Sequence, residues 1–267
     1  MKQRDVKEKS WQGKKVGADS FRLLAFSSII FNLLFSCSGK SAKHDFISTI
    51  TEQASDTTIV FIDTIYKSAL ELSLDSLGLV DIQEHISTIV VDLKYASPDN
   101  FTGDILYKDL TRAYLHPYAL KKLVKAQSLL KNNYPGYSLL IYDAARPLSV
   151  QQEMYNIVKD TKYRAYVANP ERTSLHNYGM AVDLTICDED DIPLDMGTAF
   201  DYFGAKAGIN NEESFVATGA LTRQQVNNRK LLRSVMQNAG FVPIRGEWWH
   251  FNACSLNEAK KIGTLLH

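Results

Sequence analysis

Hydrophobic positions along the chain fall into two periods, one typical of helices and one of short buried strands. Between Pro117 and Lys131, Ala119, Leu120, Leu123, Val124 and Leu130 recur at helical spacing, and Pro135-Gly136 predicts the end of that helix. Tyr137 to Tyr142 is a compact apolar run that reads as a strand, as does Ile86 to Leu93 with its β-branched residues. Met180 to Ile186 reads as a third, buried strand, apolar except for Asp183 and Thr185. Three capping boxes predict helix starts: Ser149-x-x-Gln152, opening a helix to about Val158, then Thr222-x-x-Gln225 and Ser255-x-x-Glu258. The second of these helices carries Val226, Leu232, Val235 and Met236 on its apolar face and should stop at Asn238-Ala-Gly240. Ser97 to Gly103 is rich in turn residues, and Asp188 to about Ala220 reads as a long acidic loop. Helices and strands are mixed without the regular alternation of a parallel sheet. The predicted class is therefore α+β, with an antiparallel sheet flanked by helices.

The N-terminus follows a different pattern. Residues 1–22 carry seven basic side chains, and the apolar run Leu23 to Phe35 follows. That run is too short to span a bilayer, which takes ~20 residues. It ends in Leu34-Phe-Ser-Cys37, which resembles a bacterial lipoprotein signal, in which the cysteine is lipidated. The alternatives are an ordinary signal peptide or an uncleaved anchor. The expected organisation is a signal peptide over 1–36, a polar tether over 37–77 with one short helix near Tyr66–Leu74, and a folded domain over 78–267. A lipid anchor on Cys37 would place that domain at the membrane of the bacterial cell envelope.

Composition changes this picture little. The chain is 45% hydrophobic and 22% charged, ordinary for a globular protein. Thirty basic and 30 acidic residues leave no net charge, which argues against nucleic acid as a partner. Cleavage before Cys37 would leave 23 basic and 27 acidic residues. Such a surface is not drawn to anionic lipid, so acyl chains would have to provide the anchor. Beyond Cys37, Cys187 and Cys254 remain, as a disulfide or as two free thiols.

Candidate chemistry lies in two short segments. Ser174-Leu-His-Asn-Tyr-Gly-Met-Ala-Val-Asp183 places His176 and Asp183 among apolar or small residues, and Gly179 allows a turn between them. A carboxylate in a buried strand is costly unless it is paired, hydrogen-bonded or bound to a metal. Gly246-Glu-Trp-Trp-His-Phe-Asn252 adds Glu247 and His250. Two histidines and an aspartate make a three-ligand metal site with a fourth position for water, and a glutamate outside the ligand set can act as general base. Each residue alone has a structural reading, and the case rests on their combination. In a regular strand Glu247 and His250 would face opposite sides, so a bend near Gly246 is required. Arg146, at the end of the Tyr137–Tyr142 strand and before Pro147, can bind a carboxylate or stabilise an oxyanion.

Four motifs carry a family resemblance: Asp92-Leu-Lys-Tyr-Ala-Ser-Pro-Asp-Asn-Phe-Thr-Gly103, Asp143-Ala-Ala-Arg-Pro147, Ser174-x-His-x-x-Gly-x-Ala-x-Asp183 and Glu247-Trp-Trp-His250. Met196-Gly-Thr-x-Phe-Asp201 is a fifth. In this order the chain resembles the D-alanyl-D-alanine dipeptidase family of zinc peptidases, over about residues 79–265. The resemblance implies one zinc per chain held by His176, Asp183 and His250, with Glu247 as general base and Arg146 stabilising the tetrahedral intermediate. It also implies that Tyr95, Ser174 and Asp201 hold the ends of a free D,D-dipeptide, with Asp201 pairing its ammonium. Ala145 departs from the tyrosine usual before the arginine. The alternatives are a D,D- or L,D-carboxypeptidase or endopeptidase acting on peptidoglycan stem peptides, or a zinc-binding module without turnover.

Overall fold

A computed structural model describes residues 66–267. The lipoprotein-type signal, Cys37 and the first part of the tether lie outside the described residues. Helix α1 (Ala69–Ser76) starts at a capping box between Ser68 and Glu71. It is part of the fold: Leu74 lies in the core, and the Glu71 carboxylate accepts the Thr111 N–H and hydroxyl at 2.9 Å. The folded part therefore begins upstream of residue 78, within the segment expected to be tether.

Five strands make the main sheet, in the order β2 (Val90–Val91), β4 (Ser138–Asp143), β5 (Ala181–Cys187), β7 (His250–Asn252) and β6 (Val242–Pro243). All neighbours are antiparallel except β2 and β4, which run parallel. The predicted α+β class holds, with a mixed rather than wholly antiparallel sheet. A small second sheet pairs β1 (Val80–Asp81) with β3 (Tyr114–Leu115). Strands β4 and β5 are buried along their whole length and form the centre of the molecule. Among the described residues, no helix is long and apolar enough to cross a membrane.

The long helices follow their predicted starts and stops. Helix α3 (Pro117–Asn133) buries Ala119, Leu120, Leu123 and Leu130, while Val124 faces solvent. Helix α6 (Arg223–Ala239) begins at the Thr222–Gln225 capping box and ends at Gly240, whose φ of 98° only glycine adopts readily. Ser255 caps α7 (Leu256–Ile262) by accepting the Glu258 N–H.

Three expectations are corrected. Ile86 to Leu93 is not a continuous strand. Asp81 caps the short helix α2 (Ile82–His85), and only Val90–Val91 pair with the sheet, although Ile86 and Ile89 remain in the core. Ser149-x-x-Gln152 does not cap its helix. The N-cap of helix α4 (Leu148–Val158) is Pro147, two residues earlier, and the Leu148 N–H donates to the Leu266 carbonyl at 2.8 Å. The Asp188–Ala220 segment is not wholly loop, because it contains helix α5 (Glu212–Ala217). Cys187 and Cys254 are free thiols rather than a disulfide.

Candidate active site

The pairing of β5 with β7 creates the site. Asp183 and His250 are register partners, so their side chains project from the same face of the sheet. His176 arrives from the turn before β5. Gly179 closes that turn at φ 62°, and the space beside it is so tight that a Cβ would meet the His116 nitrogen at 2.9 Å. Glycine is thus required both by the backbone angle and by the close approach. The bend expected near Gly246 is present: residues 244–249 form no strand, and β7 begins only at His250.

Three acceptor atoms converge. His250 Nδ1 lies 2.9 Å from Asp183 Oδ1, His176 Nε2 lies 3.5 Å from the same oxygen, and the two ring nitrogens are 3.2 Å apart. The outward-facing nitrogens each have a partner of their own. His176 Nδ1 donates to the Ala144 carbonyl at 2.7 Å, and His250 Nε2 donates to Asn252 Oδ1 at 2.8 Å. With those nitrogens so engaged, each ring can turn its other nitrogen toward the Asp183 carboxylate, giving three potential ligand atoms suited to a cation. Donor atoms around one tetrahedral zinc stand roughly 3.3 Å apart for bonds of ~2.0–2.1 Å, which the observed separations match. The outer hydrogen bonds are of the kind that orient metal-binding histidines. Among the described residues, these three form the one cluster of this kind.

A cavity of about 380 Å³ opens onto this cluster. Glu247, Arg146, Tyr95, Ser174 and Asp201 all line it together with His176, Asp183 and His250, so the catalytic, metal and substrate residues expected from the sequence face one space. Glu247 stands outside the three-residue cluster. Burial pushes its carboxyl up to about 7, with the negative Asp183 and Asp201 acting the same way and His250 and Arg146 opposing. For Asp183, burial alone would raise the pKa, but His176 and His250 outweigh it and keep the group ionised. Tyr95 donates to Asp201 Oδ2 at 2.7 Å, and burial pushes the Asp201 carboxyl up to about 8.

Arg146 is buried and held by its own segment. Its Nε donates to Asp143 Oδ2 at 2.8 Å, its Nη2 donates to the same oxygen, and its Nη1 donates to Gln151 Oε1 at 2.9 Å. Three of its five N–H groups are engaged, which leaves two for a ligand. The Tyr95 ring lies 5.2 Å from the guanidinium carbon. Burial opposes the charge, but Asp143 outweighs it and holds the guanidinium protonated.

Residues 75–262 match the peptidase family described as D-Ala-D-Ala dipeptidase. The chain belongs to this family. It is 36% identical over 177 residues to the D-alanyl-D-alanine dipeptidase of Escherichia coli K12, covering 66% of this chain and 85% of that protein. It is 31% identical over 195 residues to the D-alanyl-D-alanine dipeptidase of Enterococcus faecium, covering 66% of this chain and 91% of that protein. The family reading drawn from the sequence motifs holds.

Other polar residues shape the site without having been singled out in the sequence. Asp143 accepts from Arg146, from the Ala144 N–H and from Tyr107 Oη at 2.5 Å. Asn177 donates to the Arg146 carbonyl at 2.9 Å, and Gln151 joins Arg146 to the Ala168 carbonyl. Two of these carried a usable signal. Asp143 and Arg146 are three apart at a strand end, and Asn252 follows His250 at the strand period of two.

Proposed function

We infer that the chain is a D-alanyl-D-alanine dipeptidase, using zinc held by His176, Asp183 and His250. The observation that carries this reading is the convergence of three potential ligand atoms in a cavity that also holds Glu247 and Arg146. Bound zinc would supply Lewis acidity and lower the pKa of a bound water toward ~7.

The chain's own residues do the rest. Glu247, with its carboxyl raised toward neutrality, is matched to accept a proton from the attacking water and return it to the leaving amine. Arg146 is preorganised by Asp143 and Gln151, so its two spare N–H groups can meet the negative charge that develops on the peptide oxygen. Asp201, joined to Tyr95, offers a carboxyl group that the substrate ammonium beside it would hold ionised despite its burial. Ser174 presents a hydroxyl on the cavity wall for the other end of the dipeptide.

The test is release of D-alanine from D-Ala-D-Ala by the purified protein, with and without chelator. Turnover that stops with chelator and returns with zinc supports the reading. Cleavage of a stem pentapeptide with no cleavage of the free dipeptide overturns it in favour of a carboxypeptidase.

The same proposal includes an envelope location through a lipid on Cys37, supported by the Leu34-Phe-Ser-Cys37 sequence after an apolar run. Metabolic labelling with a fatty acid should mark the wild type and not Cys37→Ala. Equal label in both would refute the anchor.

A further inference from the structure

Arg229 is completely buried, yet it has no close carboxylate of its own. Its nearest acid, Glu212, is 3.9 Å away and is held instead by Arg233 at 2.7 Å. Arg229 spends its donors on backbone. Its Nε donates to the Met196 carbonyl at 2.6 Å, and its Nη1 donates to the Lys206 carbonyl at 2.8 Å. Its Nη2 has no hydrogen-bond partner among the described residues. Burying a guanidinium in this way is expensive, and an apolar residue would fill the space at less cost.

The two carbonyls bracket the segment that carries Asp201. Two more α6 side chains grip the same segment: Asn228 donates to the Asp195 carbonyl at 2.9 Å, and Gln225 donates to Asp195 Oδ2 at 2.9 Å. Residues 225, 228 and 229 share one helix face. The Arg229 guanidinium also lies 5.8 Å from the Trp248 ring, beside Glu247, and Trp248 Nε1 donates to Thr198 Oγ1 at 2.8 Å. Asp201 itself sits at φ 56°, a left-handed conformation that a non-glycine residue keeps only when its surroundings hold it there. Between residues 196 and 206, the backbone is therefore fixed at both ends and strained at the residue that faces the cavity.

We propose that Arg229 is a positioning residue for substrate selectivity, clamping the 196–206 segment so that Asp201 stays in place beside Tyr95 to receive the substrate ammonium. The proposal rests on the dipeptidase reading for the role of Asp201. It does not require Arg229 to touch substrate.

A double-mutant cycle on the full chain tests it, with Arg229→Met, Asp201→Asn and the pair, measuring kcat and KM for D-Ala-D-Ala. If Arg229 acts through Asp201, Arg229→Met should lower kcat/KM by about tenfold or more, mainly through KM, in the wild-type background. In the Asp201→Asn background the same change should matter by less than about twofold. Equal factors in both backgrounds would overturn the proposal and leave Arg229 as a fold residue. Arg229→Lys keeps the charge and one donor and should recover part of the KM loss; no recovery in a folded Lys variant counts against the clamp.

Amide hydrogen exchange provides a substrate-independent arm. Arg229→Lys should speed exchange within 196–206 while leaving β4 and β5 protected. Unchanged exchange in 196–206, or a uniform rise across the domain, would overturn the clamp. A wild type that does not cleave D-Ala-D-Ala refutes the dipeptidase reading instead, and the exchange result still decides whether Arg229 holds the segment.

Discussion

Asp143 and Asp183 are register partners on neighbouring antiparallel strands, and they serve different partners. Asp143 is taken by Arg146 and Tyr107, while Asp183 faces the two histidines. Arg146 Nη2 lies 3.6 Å from Asp183 Oδ2, so one guanidinium stands between two buried carboxylates that would otherwise repel. The half of the site proposed to bind metal and the half proposed to stabilise the oxyanion thus share one strand pair.

This division predicts separable mutants. Asp143→Asn should lower kcat by about tenfold or more with zinc content unchanged, because it loosens Arg146 while His176 Nδ1, 3.6 Å from Asp143, stays held by the Ala144 carbonyl at 2.7 Å. It should also lower the melting temperature, since breaking a buried ion pair costs ~3–5 kcal/mol. Asp183→Ala should instead lose the zinc. Metal analysis beside steady-state kinetics separates the two, and zinc loss in Asp143→Asn would refute the division.

Gly179→Ala should destabilise the protein and disturb the site together. The left-handed angle alone costs roughly 1–2 kcal/mol, and the new Cβ would press on the His116 nitrogen. For a domain of this size each kcal/mol moves the melting temperature by about 2–4 °C. Calorimetry should show a fall of at least that size, accompanied by weaker zinc retention, because His176 is on the same turn.

Glu71 gives a pH signature of the fold. Burial alone would raise its carboxyl, but the Ser68 and Thr111 N–H groups, the Thr111 hydroxyl and Arg112 together hold it below the ordinary value of 4.5. A group with a lowered folded pKa stabilises the protein above its unfolded pKa and loses that contribution as pH falls. Glu71→Gln should therefore cost stability at neutral pH, and the difference from wild type should shrink as pH drops below 4.5. Chemical denaturation at a series of pH values checks this; a constant difference would show that the carboxylate charge does not contribute.

The parts of this architecture legible in the sequence were those set by local chemistry. Thr222 and Ser255 cap their helices through backbone groups three residues away, so the sequence window contains both partners. Asp183 stood out because a carboxylate in a buried strand demands a reason, and His176 and His250 because each lay in a short segment of apolar or aromatic residues. Ser149 misled because the start of α4 is fixed by Pro147 and by a carbonyl from the far C-terminus, Leu266. The strand expected over Ile86–Leu93 failed because apolar residues can reach the core from a short helix and a turn as well as from a strand. Arg229 was invisible as a site residue because what it holds comes from a segment distant in sequence.

Glu247→Gln tests the central claim most directly. The substitution keeps size and polarity but cannot accept the proton. Measuring zinc content and kcat on the same preparation should give one zinc per chain, as in wild type, and a kcat lower by at least ~10²-fold. Loss of the zinc would make Glu247 a ligand and reopen the assignment of Asp183; turnover near the wild-type rate would place the base elsewhere.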